Sequence, residues 1–120
     1  MGATLSEPET EKKNEVVESK DYKIVSTSMQ GWRRSMEDRH LHQLKMPKDK
    51  DASFFAVFDG HGGDEISQFC AEHLPYHIGK SKKYKKGKIE EGIIEGFLGT
   101  LQFSVKLKWH NFTNFSSVVL

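Results

Sequence analysis

Three acidic residues, an arginine and a histidine stand in two short segments of the sequence where their types and spacing could support metal and phosphate chemistry. The first segment holds Arg33, Glu37 and Asp38, and the second holds Asp59 and His61. Neighbouring carboxylates resist shared burial unless a cation compensates their charge. The planar fork of an arginine suits a phosphate group. Together these residue types indicate a site for a hard divalent cation and a phosphate.

The second segment, Asp59 to Gly63, follows a nearly continuous apolar run over residues 53–58. Such a run predicts a strand that is buried on both faces, so that Asp59 leaves the strand partly desolvated and requires a cation or hydrogen-bond donors. The glycines on both sides of His61 allow positive φ and a close approach of the backbone to a ligand, which makes backbone carbonyls usable as ligands. His61 itself can donate a proton near neutral pH.

Both segments also have a purely structural interpretation. The first could be a surface salt-bridge cluster that includes Arg34 and Arg39. For this motif taken alone, the functional and the structural interpretation are equally supported. In the second, Asp59 could cap the helix that follows a structural turn. A bare Asp-Gly pair would favour the cap, but the whole run from Asp59 to Gly63 after an apolar strand, together with the family resemblance given below, favours a functional site.

The composition narrows the class of protein. The sequence has 120 residues, of which 36% are hydrophobic and 29% charged, and a net charge of +1. This size suits one small domain or a piece of a larger one, and the charge balance argues against a nucleic-acid partner. A single cysteine, Cys70, excludes an internal disulfide, and its apolar surroundings predict a buried core residue. Without an apolar segment of a secretory signal or a run of roughly 18 apolar residues, we expect a cytoplasmic or nuclear location.

The first residues match the N-myristoylation pattern, with Gly2 as the acceptor and Ser6 at the required place. A single acyl chain supports only marginal, reversible membrane association. The acidic balance of residues 7–21 does not favour contact with anionic lipid. Residues 1–20 are therefore predicted to be a polar, flexible arm that could be acylated.

Apolar periodicity and turn residues predict an α/β (α+β) arrangement. A helix is expected from about Ile66 to Ile78, with Asp64 at its start and Pro75 shortening or kinking its end. The lysine-rich break at residues 79–88 favours a solvated loop over an anion-binding or membrane-surface patch. The other predicted elements are strands at 22–28, 39–46, 53–58 and 102–109, a loop at 47–51 and a helix at 88–98.

Residues 31–38 and 54–63 resemble the first two signature motifs of the metal-dependent serine/threonine phosphatases of the protein phosphatase 2C (PPM) family. The similarity runs from about residue 22 to residue 98. It implies the α-β-β-α fold of that family, a β-sandwich flanked by helices, which is incomplete in this chain. Residues 21–98 would form the N-terminal part of the phosphatase domain, and residues 99–120 a divergent tail.

The resemblance also implies a metal site for two Mg²⁺ or Mn²⁺ ions. Glu37 would bind a metal ion, and Asp38 would hold an ion or the water around it. Asp59 would bridge the two ions, and the carbonyl of Gly60 would complete one of the two coordination sets.

The implied reaction is hydrolysis of phosphoserine and phosphothreonine in protein substrates by a metal-activated water. Arg33 would bind the substrate phosphate, and His61 would act as the general acid; of the six histidines, only His61 lies in such a motif. The family's catalytic domain is more than twice this length, and its further metal-binding aspartates lie in downstream motifs. Two other functions are therefore considered besides a truncated phosphatase. One is a catalytically inactive binding or regulatory module, and the other is a membrane-associated regulator that uses Gly2 and the lysine-rich break at residues 79–88.

Overall fold

The computed structural model describes residues 4–106 of the chain. Gly2 and the tail from residue 107 therefore lie outside the described residues. Within them the order of elements is mixed α+β, as the sequence predicts. The elements are β1 (Lys13–Glu18), β2 (Lys23–Ser28), β3 (Arg39–Gln43), β4 (Phe54–Phe58), α1 (Glu65–Lys80), α2 (Lys82–Lys85) and α3 (Ile89–Lys106).

The strands form two antiparallel hairpins, β1 with β2 and β3 with β4. In the first hairpin Glu15 is paired with Ser26, and in the second Arg39 is paired with Phe58. The predicted strands at 22–28, 39–46 and 53–58 are confirmed, although β3 ends at Gln43 because Met46 and Asp49 enclose a turn.

One expectation about β1 and one about β4 are wrong. Strand β1 lies inside the arm of residues 1–20, for which no regular structure was expected; its side chains are mostly exposed, so it is backbone pairing with β2 that orders it. Strand β4 is not buried on both faces. Phe58 is completely buried, whereas Val57 is 66% exposed, because α1 covers only one face of this hairpin.

The core lies where α1 packs between the β3–β4 hairpin and α3. Four buried apolar side chains form its centre: Met46, Phe58, Leu74 and Ile78. Cys70 packs against this centre and is partly buried, and burial raises the pKa of its thiol. Helix α1 continues past the buried Pro75 to Lys80, so this proline does not shorten the helix.

The lysine-rich break begins in the last turn of α1 and contains the four-residue helix α2; Gly79 and Ser81 are buried, whereas its lysines are exposed or half-buried. Ser81 begins α2 by accepting hydrogen bonds from the backbone N–H groups of Lys83 and Tyr84, each at 3.1 Å. Glu91 of α3 pairs with Lys83 at 2.7 Å and with Lys88 at 3.3 Å. Two of the lysines are thus engaged by an acid of the chain itself, which agrees with the solvated interpretation of this segment.

Helix α3 confirms the helix predicted at 88–98 but contradicts the strand predicted at 102–109, because it continues to Lys106. The alternating pattern there is overridden by packing against α1. The ring of Phe103 stacks on Phe69 with centroids 6.0 Å apart and meets the edge of His73 at 5.1 Å. Residues 107–109 lie outside the described residues.

None of the helices described in residues 4–106 combines the length and apolar character needed to cross a membrane.

Small residues let α3 approach its neighbours closely. A Cβ atom built on Gly96 would lie 2.9 Å from the backbone N and Cα of Ile78, and one built on Gly92 would lie 2.6 Å from the backbone of Tyr84. Real Cβ atoms do not come that close to a fixed backbone. Both glycines therefore set the separation between α3 and the α1–α2 segment.

We predict that Gly96→Ala destabilises the chain although alanine is the better helix former. The contact with the backbone of Ile78 should cost about 1–3 kcal/mol, more than the roughly 0.5–1 kcal/mol gained in helix propensity. Gln102→Ala, at an exposed position of α3, is the matched control and should change stability by less than about 0.5 kcal/mol. Urea denaturation measures both, and an unchanged or higher stability of Gly96→Ala would contradict the close packing.

Candidate active site

The pairing of β3 with β4 brings the two motifs together. Arg39 at the start of β3 is opposite Phe58 at the end of β4. In an antiparallel pair, the residues that precede one strand therefore lie beside those that follow the other. This register places Asp38 next to Asp59, although 21 positions separate them in the sequence.

Gly60 joins the two segments through its backbone. Its N–H donates a hydrogen bond of 3.2 Å to Oδ1 of Asp38. A Cβ atom on Gly60 would lie 2.1 Å from the carbonyl oxygen of Glu37. Position 60 therefore requires glycine because the backbone before β3 runs directly against it.

Helix α1 fixes the same segment from the other side. The hydroxyl of Ser67, which is 2% exposed, lies 2.5 Å from the carbonyl oxygen of Glu37 and 2.9 Å from that of Asp64. With a single hydrogen it donates to one of them at a time. Arg39 forms an ion pair with the carboxylate of Asp64 and donates to the carbonyl of Asp38 at 3.1 Å. The start of α1 and the backbone of the first motif are thus held together.

A cleft of about 130 Å³ opens between the two motifs, and five of the predicted site residues line it. Its lining consists of Met29, Gln30, Arg33, Ser35, Met36, Glu37, Asp38, Asp59 and Gly60. His61 does not line this cleft, but its Nδ1 lies 3.5 Å from Oδ1 of Asp59. The predicted lipidation site, Gly2, lies outside the described residues.

Glu37 is the most buried acid of the cleft, with a side chain that is 14% exposed. Its Oε1 accepts a hydrogen bond of 2.9 Å from Ser35. Its Oε2 is buried and has no hydrogen-bond partner among residues 4–106; Nη2 of Arg33 is 3.5 Å away, on a side chain that is 65% exposed. A buried carboxylate oxygen whose one charged contact is long and solvent-exposed can accept a further hydrogen-bond donor or a cation.

The donor set of the cleft fits a hard divalent cation. Three carboxylates and a glycine carbonyl supply only oxygen, which is the ligand that Mg²⁺ and Mn²⁺ prefer. The oxygens of Glu37, Asp38 and Asp59 do not, however, form a group within 4.8 Å of one another in the part of the chain described. Coordination of one ion by all three side chains is therefore not the arrangement found here.

The two structural interpretations, a surface salt-bridge cluster in the first motif and a helix-capping Asp59 in the second, apply only in part. Arg33 does pair with Glu37, as the salt-bridge interpretation expects, but Arg39 turns to Asp64 and to backbone carbonyls. The residue that begins α1 is Asp64 and not Asp59. Asp59 and His61 are 57% and 52% exposed, so their contact contributes little to stability and both side chains remain accessible to a ligand.

Sequence reasoning missed the residues that position the acids. Ser67 lies 30 positions after Glu37 and carries no motif, so only the packing of α1 reveals its contact with that backbone. Ser35 stands within the first motif, two residues before the acid that it contacts. Arg39 was considered only as a member of the alternative surface cluster, whereas its partner is Asp64, the residue that precedes α1.

The family model described as "Protein phosphatase 2C" matches residues 22–114. A probable protein phosphatase 2C of Caenorhabditis elegans is 44% identical over 98 residues, which is 82% of this chain and 28% of the relative. A probable protein phosphatase of Drosophila melanogaster is 44% identical over 99 residues, 82% of this chain and 15% of the relative. Protein phosphatase 2C homolog 2 of Hypocrea jecorina is 43% identical over 108 residues, 83% of this chain and 25% of the relative. The chain thus spans less than a third of the length of these relatives.

We predict that Gly60→Ala disrupts the junction of the two motifs. Its Cβ would collide with the carbonyl oxygen of Glu37, and the cost should reach about 3 kcal/mol or more, the upper end for overpacking. Gly62→Ala is the control, because Gly62 has φ +74° with no atom within 4 Å of a built Cβ, so only the backbone conformation is penalised, by about 1–2 kcal/mol. Equal losses of stability for the two variants in urea denaturation would contradict the junction.

Proposed function

Because the chain belongs to the protein phosphatase 2C family, we propose that it supplies part of an active site that hydrolyses phosphoserine and phosphothreonine in proteins. One observation carries the proposal. Arg33, Glu37, Asp38, Asp59 and Gly60 come from two separate motifs and line one cleft, in which Oε2 of Glu37 is buried without a hydrogen-bond partner among the described residues.

In the proposed site Glu37, Asp38, Asp59 and the carbonyl of Gly60 hold Mg²⁺ or Mn²⁺, with two ions in the complete site. When bound, such ions neutralise charge on a phosphoryl group and lower the pKa of water. The protein itself orients these acids: the N–H of Gly60 donates a hydrogen bond that fixes the carboxylate of Asp38. Ser35 holds one oxygen of Glu37 and leaves the other turned toward the side of Arg33.

Arg33 is proposed to bind the phosphate of the substrate. Its guanidinium is 65% exposed and contacts Glu37 only at 3.5 Å, so that most of its donors are open to a ligand at the mouth of the cleft. A guanidinium can bind phosphate with two parallel hydrogen bonds. This arrangement supports binding of a phosphorylated side chain that enters from solvent.

His61 is proposed to donate the proton to the departing seryl or threonyl oxygen. It follows the cleft residues Asp59 and Gly60 directly and is half-exposed. The carboxylate of Asp59 lies 3.5 Å from its Nδ1, close enough to orient the imidazole. We further propose that the two hairpins and α1 belong to the α-β-β-α sandwich of the family, of which this chain carries an N-terminal part.

Acylation of Gly2, weak membrane association and a cytoplasmic or nuclear location are proposals that rest on the sequence alone.

We predict that the purified chain binds Mn²⁺ but releases phosphate from a phosphothreonine peptide slowly or not at all. The cleft supplies three carboxylates that do not close around one ion. Asp59→Asn should abolish the Mn²⁺ binding, and Glu72→Gln, at an exposed acid of α1, should leave it unchanged. Isothermal titration and phosphate release measure the two properties. Rapid Mn²⁺-dependent turnover would contradict the partial site, and equal binding by both variants would contradict the metal assignment.

We predict that Arg33→Ala weakens binding of the same phosphopeptide in the presence of Mn²⁺ by about tenfold or more, which is the loss of a charge-assisted hydrogen bond. Arg34→Ala is the matched control, since Arg34 does not line the cleft. Fluorescence anisotropy of a labelled peptide measures both. Equal weakening by the two substitutions would indicate only a general charge effect. If the chain binds the phosphopeptide through Arg33 but releases no phosphate from it, the chain behaves as a non-catalytic binding module.

A further inference from the structure

A second group of possible metal ligands lies between the two hairpins. Glu15 of β1 and His40 and His42 of β3 have ligand atoms that all lie within 4.8 Å of one another, and no other such group of His, Cys, Asp or Glu occurs in residues 4–106. None of the three lines the cleft of the candidate active site. We refer to Glu15, His40 and His42 as the inter-hairpin cluster.

The strand geometry explains how these residues meet. Residues two apart on a strand point to the same face, so His40 and His42 project together, on the face of β3 opposite to Leu41, which packs against the core. Glu15 is paired with Ser26 in the register of β1 and β2. The contact of Ser26 Oγ with Nε2 of His40, at 3.1 Å, sets the two hairpins against each other at this point.

The distances within the cluster are short. Nε2 of His40 lies 3.0 Å from Oε2 of Glu15, and Nδ1 of His42 lies 3.7 Å from Oε1 of the same carboxylate. The two imidazole rings are 5.0 Å apart between centroids. The hydrogen bond from His40 is the main cause that lowers the pKa of the Glu15 carboxyl.

His42 provides an independent indication of a ligand. Its side chain is only 7% exposed, and its Nδ1 is buried without a hydrogen-bond partner among the described residues. The nearest carboxylate oxygen, at 3.7 Å, is too far for a hydrogen bond. Leaving a buried polar atom unsatisfied costs roughly 1–3 kcal/mol, so a group that bridges this nitrogen and Glu15 would stabilise the arrangement.

We propose that the inter-hairpin cluster binds a divalent transition-metal ion of the Zn²⁺ type. With bonds of about 2.0–2.1 Å, the ligand atoms of a tetrahedral zinc site lie roughly 3.3–3.4 Å apart. The contacts of 3.0 and 3.7 Å, made by the two oxygens of Glu15, fall on either side of this value, and one ligand atom from each residue lies within 4.8 Å of the others. Two imidazoles and one carboxylate are a ligand set that zinc uses in proteins, with a fourth position open to water.

The chemistry of the ligands separates this site from the cleft. Imidazole nitrogen selects zinc and related ions over Mg²⁺, which requires six oxygen-type ligands in octahedral geometry. Because the ligands come from β1 and β3, an ion here would also join the β1–β2 hairpin to the β3–β4 hairpin. Its binding therefore stabilises the docking of the first hairpin.

The test is a Zn²⁺ titration of the full 120-residue chain in excess Mg²⁺, which occupies oxygen sites. Competition with a zinc-binding dye gives affinity and stoichiometry, and visible absorption of Co²⁺ bound in place of Zn²⁺ reports nitrogen coordination. We expect one ion per chain. His42→Gln and Glu15→Gln should each lower the affinity by roughly 100-fold or more, since loss of a partner that merely orients a ligand costs about 10–100-fold.

Two controls make the outcome specific. Asp59→Asn removes a carboxylate of the cleft, and His73→Gln removes a histidine of α1; neither should change the Zn²⁺ affinity. Glu15 is half-exposed, so Glu15→Gln is expected to fold, and circular dichroism checks this. No uptake by the wild type, or equal uptake by Glu15→Gln, overturns the proposal. Loss of uptake in Asp59→Asn alone also overturns it, since zinc would then occupy the cleft.

Discussion

The candidate site depends on the register of β3 and β4 and on the absence of a side chain at position 60. The pairing of Arg39 with Phe58 fixes which residues stand side by side at this edge of the hairpin. A shift by one residue would turn Phe58 out of the core and move Asp59 away from Asp38, so burial of Phe58 and assembly of the cleft require the same register. Gly60 then allows the backbone of Glu37 to lie where any other residue would place its Cβ. The local geometry of the acids is thus a consequence of packing in the core.

Two hydrogen bonds to this segment explain how Glu37 stays inside the cleft with an oxygen that has no hydrogen-bond partner among the described residues. Its carbonyl is held by Ser67 of α1, and the next residue is held by the N–H of Gly60. A flexible segment would let the carboxylate turn to solvent, whereas this segment is held at the carbonyl of Glu37 and at the carboxylate of Asp38. The rest of the fold therefore compensates the free-energy cost of burying this carboxylate. Binding of a cation would relieve that cost.

The sequence predicted the elements and residues whose signals are local. Strands β2 to β4 and helix α1 follow from apolar periodicity, and the cleft residues follow from two contiguous motifs. The errors arose where contacts between residues distant in the sequence determine the secondary structure. Packing of Phe103 on α1 made a helix of an alternating segment, and pairing with β2 made a strand of the polar residues from Lys13 to Glu18. The inter-hairpin cluster was missed for the same reason: the spacing of His40 and His42 indicates a shared face, but Glu15 joins them only through the contact between the hairpins.

Strand β3 shows how alternation can keep two kinds of chemistry apart within a few residues. Leu41 faces the core, and His40 and His42 face the other hairpin, while the carboxylate of Asp38 precedes the strand at its end. Oxygen ligands are therefore gathered at the edge where the backbone leaves the sheet, and nitrogen ligands on its face. Hard ions such as Mg²⁺ and Mn²⁺ select the first set, and borderline ions such as Zn²⁺ select the second. One strand thus positions two sets of candidate ligands that differ in chemistry, and both sets depend on the same β3–β4 pairing.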